Sequence, residues 1–208
     1  MTAEYAMAPA GDAGACLAVI ELAAASGLEG LSQSERDPTR TSTFGTGLLI
    51  RDALERGAER ILLGIGGSAT TDASCGVVQA LGGVFFDTEG RVIERPMTGA
   101  DLSRIGRIGL TAAGERLVGR SIHIACDVTN PLFGSNGAAY IYGPQKGAAP
   151  AQVAQLDKGL RAIARVWRDA GLTDVAELPG AGAAGGVGGG LVAMLGAELC
   201  PGAELVLD

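Results

Sequence analysis

Hydrophobic and polar positions alternate along this chain in blocks that predict its elements. The run Cys16-Leu-Ala-Val-Ile-Glu21 has strand length and composition, and residues 22–26 with Gly27 after them predict one or two helical turns. Residues 29–42 are polar, contain Pro38 and several Ser and Thr, and predict a loop. Over 46–58, Leu48, Leu49, Ala53 and Leu54 fall on one side of a helical projection and Arg51, Asp52, Glu55 and Arg56 elsewhere, with Gly57 as the stop. A strand at 60–65, a loop at 66–72 and a second helix at 73–81 follow. This alternation predicts α/β layering, in which strands deliver loops at their carboxyl ends and function is sought there.

Further on, the string Val84-Phe-Phe-Asp-Thr-Glu-Gly-Arg-Val-Ile93 predicts a hairpin turning at 87–90, so the sheet should be mixed and not purely parallel. Residues 121–126 form another alternating strand that runs into Asp127-Val-Thr-Asn-Pro131. Pro150 opens a long helix reaching about residue 169. Residues 178–197 carry no charge, but eight of them are Gly, and only 188–195 is continuously apolar, which is short of a bilayer span. A Gly-rich loop entering a buried helix is the expectation. No internal repeat is present, and the fold class expected is α/β with a mixed sheet and flanking helices.

Composition narrows the function classes. Gly and Pro make about a fifth of the chain (34 and 8 of 208) without a three-residue period, which excludes a collagen-like fibre and marks a turn-rich globular protein. The net charge is −7 and no stripe of Lys or Arg exists, so neither a nucleic acid nor a membrane is an expected partner. Only two lysines occur, Lys146 and Lys158, so chemistry that needs a compact ammonium has two candidates. Cys16, Cys75, Cys126 and Cys200 lie far apart and read as buried reduced thiols of a cytoplasmic protein. His123, the single histidine, precedes Cys126 by three residues, but His-x-x-Cys alone lacks the other ligands of a zinc site, and no metal-ligating set is expected. The first 15 residues hold two acids, no basic residue and no apolar core, which argues against a signal peptide.

Four stretches carry candidate chemistry. In Gly64-x-Gly66-Gly67-Ser68-Ala69-Thr70-Thr71-Asp72, between a strand and a helix, glycines open backbone N–H groups to an anion and hydroxyls add donors. The same residues equally suit a tight structural turn. It is not a Walker loop, which needs a Lys absent here. Asp127 directly after a strand, with Asn130-Pro131 turning the chain, can take a hydroxyl proton, hold Mg²⁺, or merely cap the turn. Lys146 in Gly143-Pro-Gln-Lys-Gly147 can neutralise a transferring phosphoryl group, or be simply solvated. The string Gly180-x-Gly182-x-x-Gly185 does not follow a clean strand, so a dinucleotide fingerprint is rejected in favour of close backbone packing.

Taken together, the strings Ile20-Glu-Leu-Ala-Ala-Ala-Ser-Gly-Leu28, Thr43-Phe-Gly-Thr-Gly47, Gly64-Ile-Gly-Gly-Ser-Ala-Thr70, Ala125-Cys-Asp-Val-Thr-Asn-Pro-Leu132, Gly143-Pro-Gln-Lys-Gly147 and Pro179-Gly-Ala-Gly-Ala-Ala-Gly-Gly186 resemble the bacterial glycerate kinase family, in the family's order and over nearly the whole chain. The resemblance implies ATP- and Mg²⁺-dependent phosphorylation of D-glycerate, with the 2-hydroxyl as the expected acceptor. It implies Asp127 near that hydroxyl with Asn130 supporting it, and Lys146 with Gly66, Gly67 and Ser68 on phosphates or carboxylate. Thr46, Thr70 and Asp72 are implied as further binding residues. Family members are about twice as long, with a Rossmann-like domain built from both chain ends around an inserted α/β domain. The chain resembles that inserted domain with its borders: it shows neither the family's opening segment nor the segment expected after Leu205-Val-Leu-Asp208. The alternative is therefore a chain that only binds ligand or pairs with a separately encoded remainder. A homo-oligomer is compatible with the sequence. One local departure is Thr71-Asp72-Ala73-Ser74 where the family usually carries Asn-Asp-Gly-Gly. Ala-Ser should resist the positive φ that Gly-Gly allows.

Overall fold

Five strands make the main sheet of the computed structural model, which describes residues 3–10 and 15–202. Part of the 1–15 stretch read above, and the whole string 205–208, lie outside the described residues. In chain order the elements are β1 (Ala6–Ala10), β2 (Ala15–Glu21), α1 (Ala23–Ser26), α2 (Phe44–Glu55), β3 (Arg60–Gly64), α3 (Cys75–Ala80), β4 (Val84–Asp87), β5 (Ile105–Gly109) and α4 (Thr111–Arg116). They continue with β6 (Ser121–Ala125), α5 (Ala138–Tyr142), α6 (Pro150–Asp169), α7 (Ala183–Leu195) and β7 (Glu198–Cys200). The sheet order is β1-β2-β3-β6-β7; β2, β3, β6 and β7 run parallel and β1 antiparallel to β2. The fold is thus α/β with a mostly parallel, mixed sheet and flanking helices, as expected.

The reason for the mixing differs from the expectation. Residues 87–90 do turn, with Gly90 N–H donating to the Asp87 carbonyl, but the returning segment makes only one isolated bridge, Phe86 to Val92. The principal partner of β4 is β5, antiparallel, and the two form a separate small sheet. The antiparallel strand of the main sheet is β1 instead. The second helix also starts later than expected, at Cys75, because Ala73 and Ser74 adopt φ of 50° and 61°.

One face of the sheet supplies the core: Ala18, Ile20, Ile61, Leu63, Ile122 and Ile124 are buried and belong to one cluster with Ile50, Ala53 and Leu54 of α2 and Val77 and Val78 of α3. The two-residue period of the strands puts these side chains on one side, while Leu17, Val19, Leu62 and His123 on the other are only half-buried. Gly47 lets α2 and α3 approach closely, since a Cβ there would run into Val77 and Ala80. Helix α6 buries Val153, Leu156, Leu160, Ile163 and Trp167, spaced three and four residues apart, so a single apolar stripe docks it. Each such side chain contributes about 1.5–3 kcal/mol. Of the four cysteines only Cys75 is buried; the other three are half-exposed, contrary to expectation, and the four form no disulfide. Among the described residues no helix is long and apolar enough to cross a membrane.

Candidate functional site

The parallel strands β3 and β6 end side by side, Gly64 opposite Ala125, so the segments that follow them meet at one sheet edge. There Gly66, Gly67 and Ser68 from one segment and Cys126 and Asp127 from the other line a cleft of about 290 Å³, together with Lys146. The Gly-Gly-Ser turn is pinned from behind. Leu28 N–H donates to the Gly67 carbonyl (2.9 Å), Ala69 N–H to the Ser26 carbonyl (2.9 Å), and Gly67 itself takes φ of 66°.

Lys146 is the unexpected feature: it is not solvated but 1% exposed. It ends a single 3-10 turn, Pro144–Lys146, that Gly147 (φ 93°) closes, and its ammonium donates to Ser68 Oγ (2.7 Å) and to the Thr70 carbonyl (2.6 Å). An ammonium has three protons, and no third partner exists among the described residues. Ser68, by accepting from Lys146, keeps its own hydroxyl proton to offer. Burial drives the Lys146 pKa from its usual 10.5 down to about 7, partly offset by the negative charge of Asp72.

Asp72 does not line the cleft. It is fully buried, and one carboxylate oxygen accepts from Thr43 N–H (2.8 Å), Thr43 Oγ1 (2.8 Å) and Gly76 N–H (3.3 Å), while the other has no partner. Burial raises its pKa from 3.8 to about 6 against the pull of those donors. Its geometry ties the start of α2 to the start of α3 and places negative potential behind Lys146. Thr46 is likewise brought elsewhere, sharing a hydrogen bond with Ser26 Oγ (2.8 Å) beneath α1. Thr70 contributes its carbonyl, and its buried hydroxyl has no partner among the described residues; the residue also lines a second, 130 Å³ cavity with Ser26, Gly27 and Thr41. Asn130 sits one layer back: its Oδ1 accepts from Tyr142 (2.6 Å), and it is Tyr142 that lines the cleft. Asp127 stands exposed at the rim with Oδ1 accepting from Gly202 N–H (2.8 Å).

Sequence reasoning passed over Tyr142, Gln145 and Cys126 as lining residues, although Tyr142 directly precedes the Gly-Pro-Gln-Lys-Gly string. The close backbone packing expected of the glycine-rich 180–190 segment is present. At Gly185 (φ 78°) a Cβ would overlap the Thr70 carbonyl oxygen, the same atom that holds Lys146. Gly185→Ala is therefore expected to lower stability by about 2–5 kcal/mol, the sum of left-handed strain and overpacking. Gly196→Ala, at φ 68° facing open space, carries the strain alone and should lose about 1–2 kcal/mol. Urea unfolding of both variants measures the difference.

The arrangement defines an α/β protein with an anion-receptive cleft outside the carboxyl ends of parallel strands. A profile described as the glycerate kinase family matches residues 1–208. The chain is 50% identical over 189 residues to the glycerate 2-kinase of Escherichia coli K12 (91% of this chain, 49% of that protein) and 47% identical over 192 residues to a glycerate kinase of Halalkalibacterium halodurans (92% and 50%). A crystal structure from Salmonella typhimurium LT2, provisionally described as a glycerate kinase 2, superposes with a TM-score of 0.88 at 43% identity, covering 100% of this chain and 58% of that one. The chain belongs to the glycerate kinase family. It spans about half the length of the curated relatives it matches.

Proposed function

We propose that this chain supplies one wall of the site at which ATP phosphorylates D-glycerate on its 2-hydroxyl. The observation that carries the reading is Lys146: a buried ammonium and the Ser68 hydroxyl beside it each keep an unused proton at a cleft walled by a Gly-Gly backbone. Phosphoryl transfer asks mainly for charge placement around the three equatorial oxygens, and these donors supply it without moving. Asp127, exposed across the cleft with one carboxylate oxygen engaged by Gly202, takes the proton of the accepting hydroxyl. Tyr142, held by Asn130, closes one side.

Mg²⁺ would enter with the nucleotide, held by phosphate oxygens and waters, and would neutralise phosphate charge in the cleft; the one carboxylate among its lining residues, Asp127, is the proposed base, so the ion asks for no dedicated protein ligand there. The family membership and the E. coli relative's name support glycerate and the 2-position. We place the activity in the cytoplasm, in keeping with four cysteines that form no disulfide.

The test is ADP release by the purified 208-residue chain from ATP, Mg²⁺ and D-glycerate, with ³¹P NMR of the product. A phosphate on C2 couples to one carbon-bound proton and gives a doublet; on C3 it couples to two and gives a triplet. A triplet would refute the 2-position. A second reading, that the chain binds ligand and needs another polypeptide for turnover, is favoured by its half-length coverage of its relatives. It predicts no turnover but ATP binding by calorimetry, weakened in Lys146→Met. Absence of both turnover and binding would sink both readings.

A further inference from the structure

We propose that His123, Glu198 and Cys200 form a binding site for a zinc-class transition-metal ion on the outer face of the sheet, separate from the cleft. The ligands meet through the sheet's register. His123 on β6 is the Cα partner of Glu198 on β7, and Ala125 is the partner of Cys200, so Glu198 and Cys200, two apart, project on the same side as His123. The imidazole Nδ1 lies 3.4 Å from Glu198 Oε2 and 3.9 Å from Cys200 Sγ, and the three donor atoms all fall within 4.8 Å of one another. Bond lengths of about 2.0–2.3 Å in a tetrahedral site put ligand atoms about 3.3–3.8 Å apart. Small rotations of the exposed Glu198 and of Cys200 thus complete three corners, with water at the fourth.

A second observation points the same way. The other ring nitrogen of His123, Nε2, lies 3.0 Å from Ser121 Oγ. With Nε2 donating its proton there, the Nδ1 lone pair is directed at the carboxylate and thiol. Such a partner behind the ring is the usual means of orienting a metal-bound histidine. Thiolate, imidazole and carboxylate together select Zn²⁺ over Mg²⁺, which prefers oxygen donors in octahedral array. On binding, the Cys200 thiol gives its proton to solvent and the thiolate takes the metal. The sequence withheld this site because the partners of His123 lie 75 and 77 residues downstream, whereas Cys126, three residues on, lines the cleft. The ion would cross-link the short edge strand β7 to β6, just before Gly202 donates to Asp127.

The test uses Co²⁺ as a spectroscopic probe on the reduced, chelator-treated 208-residue chain. One equivalent should bind with a thiolate-to-cobalt charge-transfer band and intense tetrahedral d–d absorption, displaced by Zn²⁺ but not by Mg²⁺. The band should vanish in Cys200→Ser and persist in Cys126→Ser. Ser121→Ala should weaken Co²⁺ binding about tenfold, with circular dichroism showing each variant folded. A wild-type chain without the charge-transfer band, or a band that survives Cys200→Ser, overturns the proposal.

Discussion

Lys146→Met is expected to reduce kcat/KM for glycerate phosphorylation by about 10²–10³, the usual loss when one preorganised donor to developing charge is removed, and, where binding alone is measured, the affinity for ATP by about 10–10², the worth of one hydrogen bond to a charged group. The same substitution should relieve the folded state. Lys146 is 1% exposed and its pKa falls from 10.5 to about 7, so folding penalises the ammonium. The penalty is fully present below pH 7, where both folded and unfolded chains carry the proton, and it fades between about pH 7 and 10.5, where only the unfolded chain does. Stability of the wild type relative to Lys146→Met should therefore rise over that interval, by on the order of 5 kcal/mol. Comparing the two proteins across pH cancels the constant cost of leaving Ser68 Oγ and the Thr70 carbonyl without their donor. Wild-type kcat/KM should also decline above about pH 7 as the ammonium deprotonates. A flat stability difference from pH 7 to 10.5 would show that Lys146 is not a buried charge, and unchanged affinity or kcat/KM in the variant would remove it from the site.

A lysine in a polar, glycine-flanked string gives no hint of burial; the side chain's fate depends on Ser68 and the Thr70 carbonyl, 78 and 76 residues away. What the sequence made legible was local. The alternation at 60–64 and 121–125 and the three-and-four spacing of α6 each encode one buried face, and those elements appear within a residue or two of their expected positions. β1, the five residues Ala-Met-Ala-Pro-Ala, has no such alternation and is a strand only because β2 offers it an edge. β5, Ile-Gly-Arg-Ile-Gly, is equally mute, which is why the local pattern points to a hairpin within 84–93, turning at 87–90, instead.

The site divides in the same way. Gly66, Gly67, Ser68 and Asp127 each follow a strand, and the parallel register of β3 and β6 gathers them, while Lys146 joins them from its 3-10 turn through Ser68 and the Thr70 carbonyl. Thr46 and Asp72 sit in equally suggestive strings, yet their partners, Ser26 and Thr43, turn them inward. The Ala73-Ser74 departure shows tertiary packing overriding local preference. Both residues take the left-handed conformation that glycine would adopt freely, held there as Ser74 Oγ donates to the Val187 carbonyl and Ala73 N–H to the Gly185 carbonyl.

Asp127→Asn is the sharper test of chemistry, as opposed to binding. The carboxamide has the same shape, and its oxygen can still accept from Gly202 N–H, so the cleft rim keeps its geometry. The side chain is exposed, so stability should change by no more than about 0.5 kcal/mol. With Asp127 in its proposed role, the substitution should remove the capacity to take a proton from the accepting hydroxyl, and with it about 10²–10⁴ in kcat. KM should move far less, because an amide still hydrogen-bonds that hydroxyl. The assay belongs in whichever assembly turns over, the 208-residue chain alone or with a second polypeptide. Near-normal kcat would remove Asp127 as the base and leave it as the residue that ties Gly202 to the cleft. A large rise in KM at constant kcat would instead make it a binding group. The kcat-to-KM split thus separates proton transfer from positioning at an atom whose hydrogen bond to Gly202 both roles share.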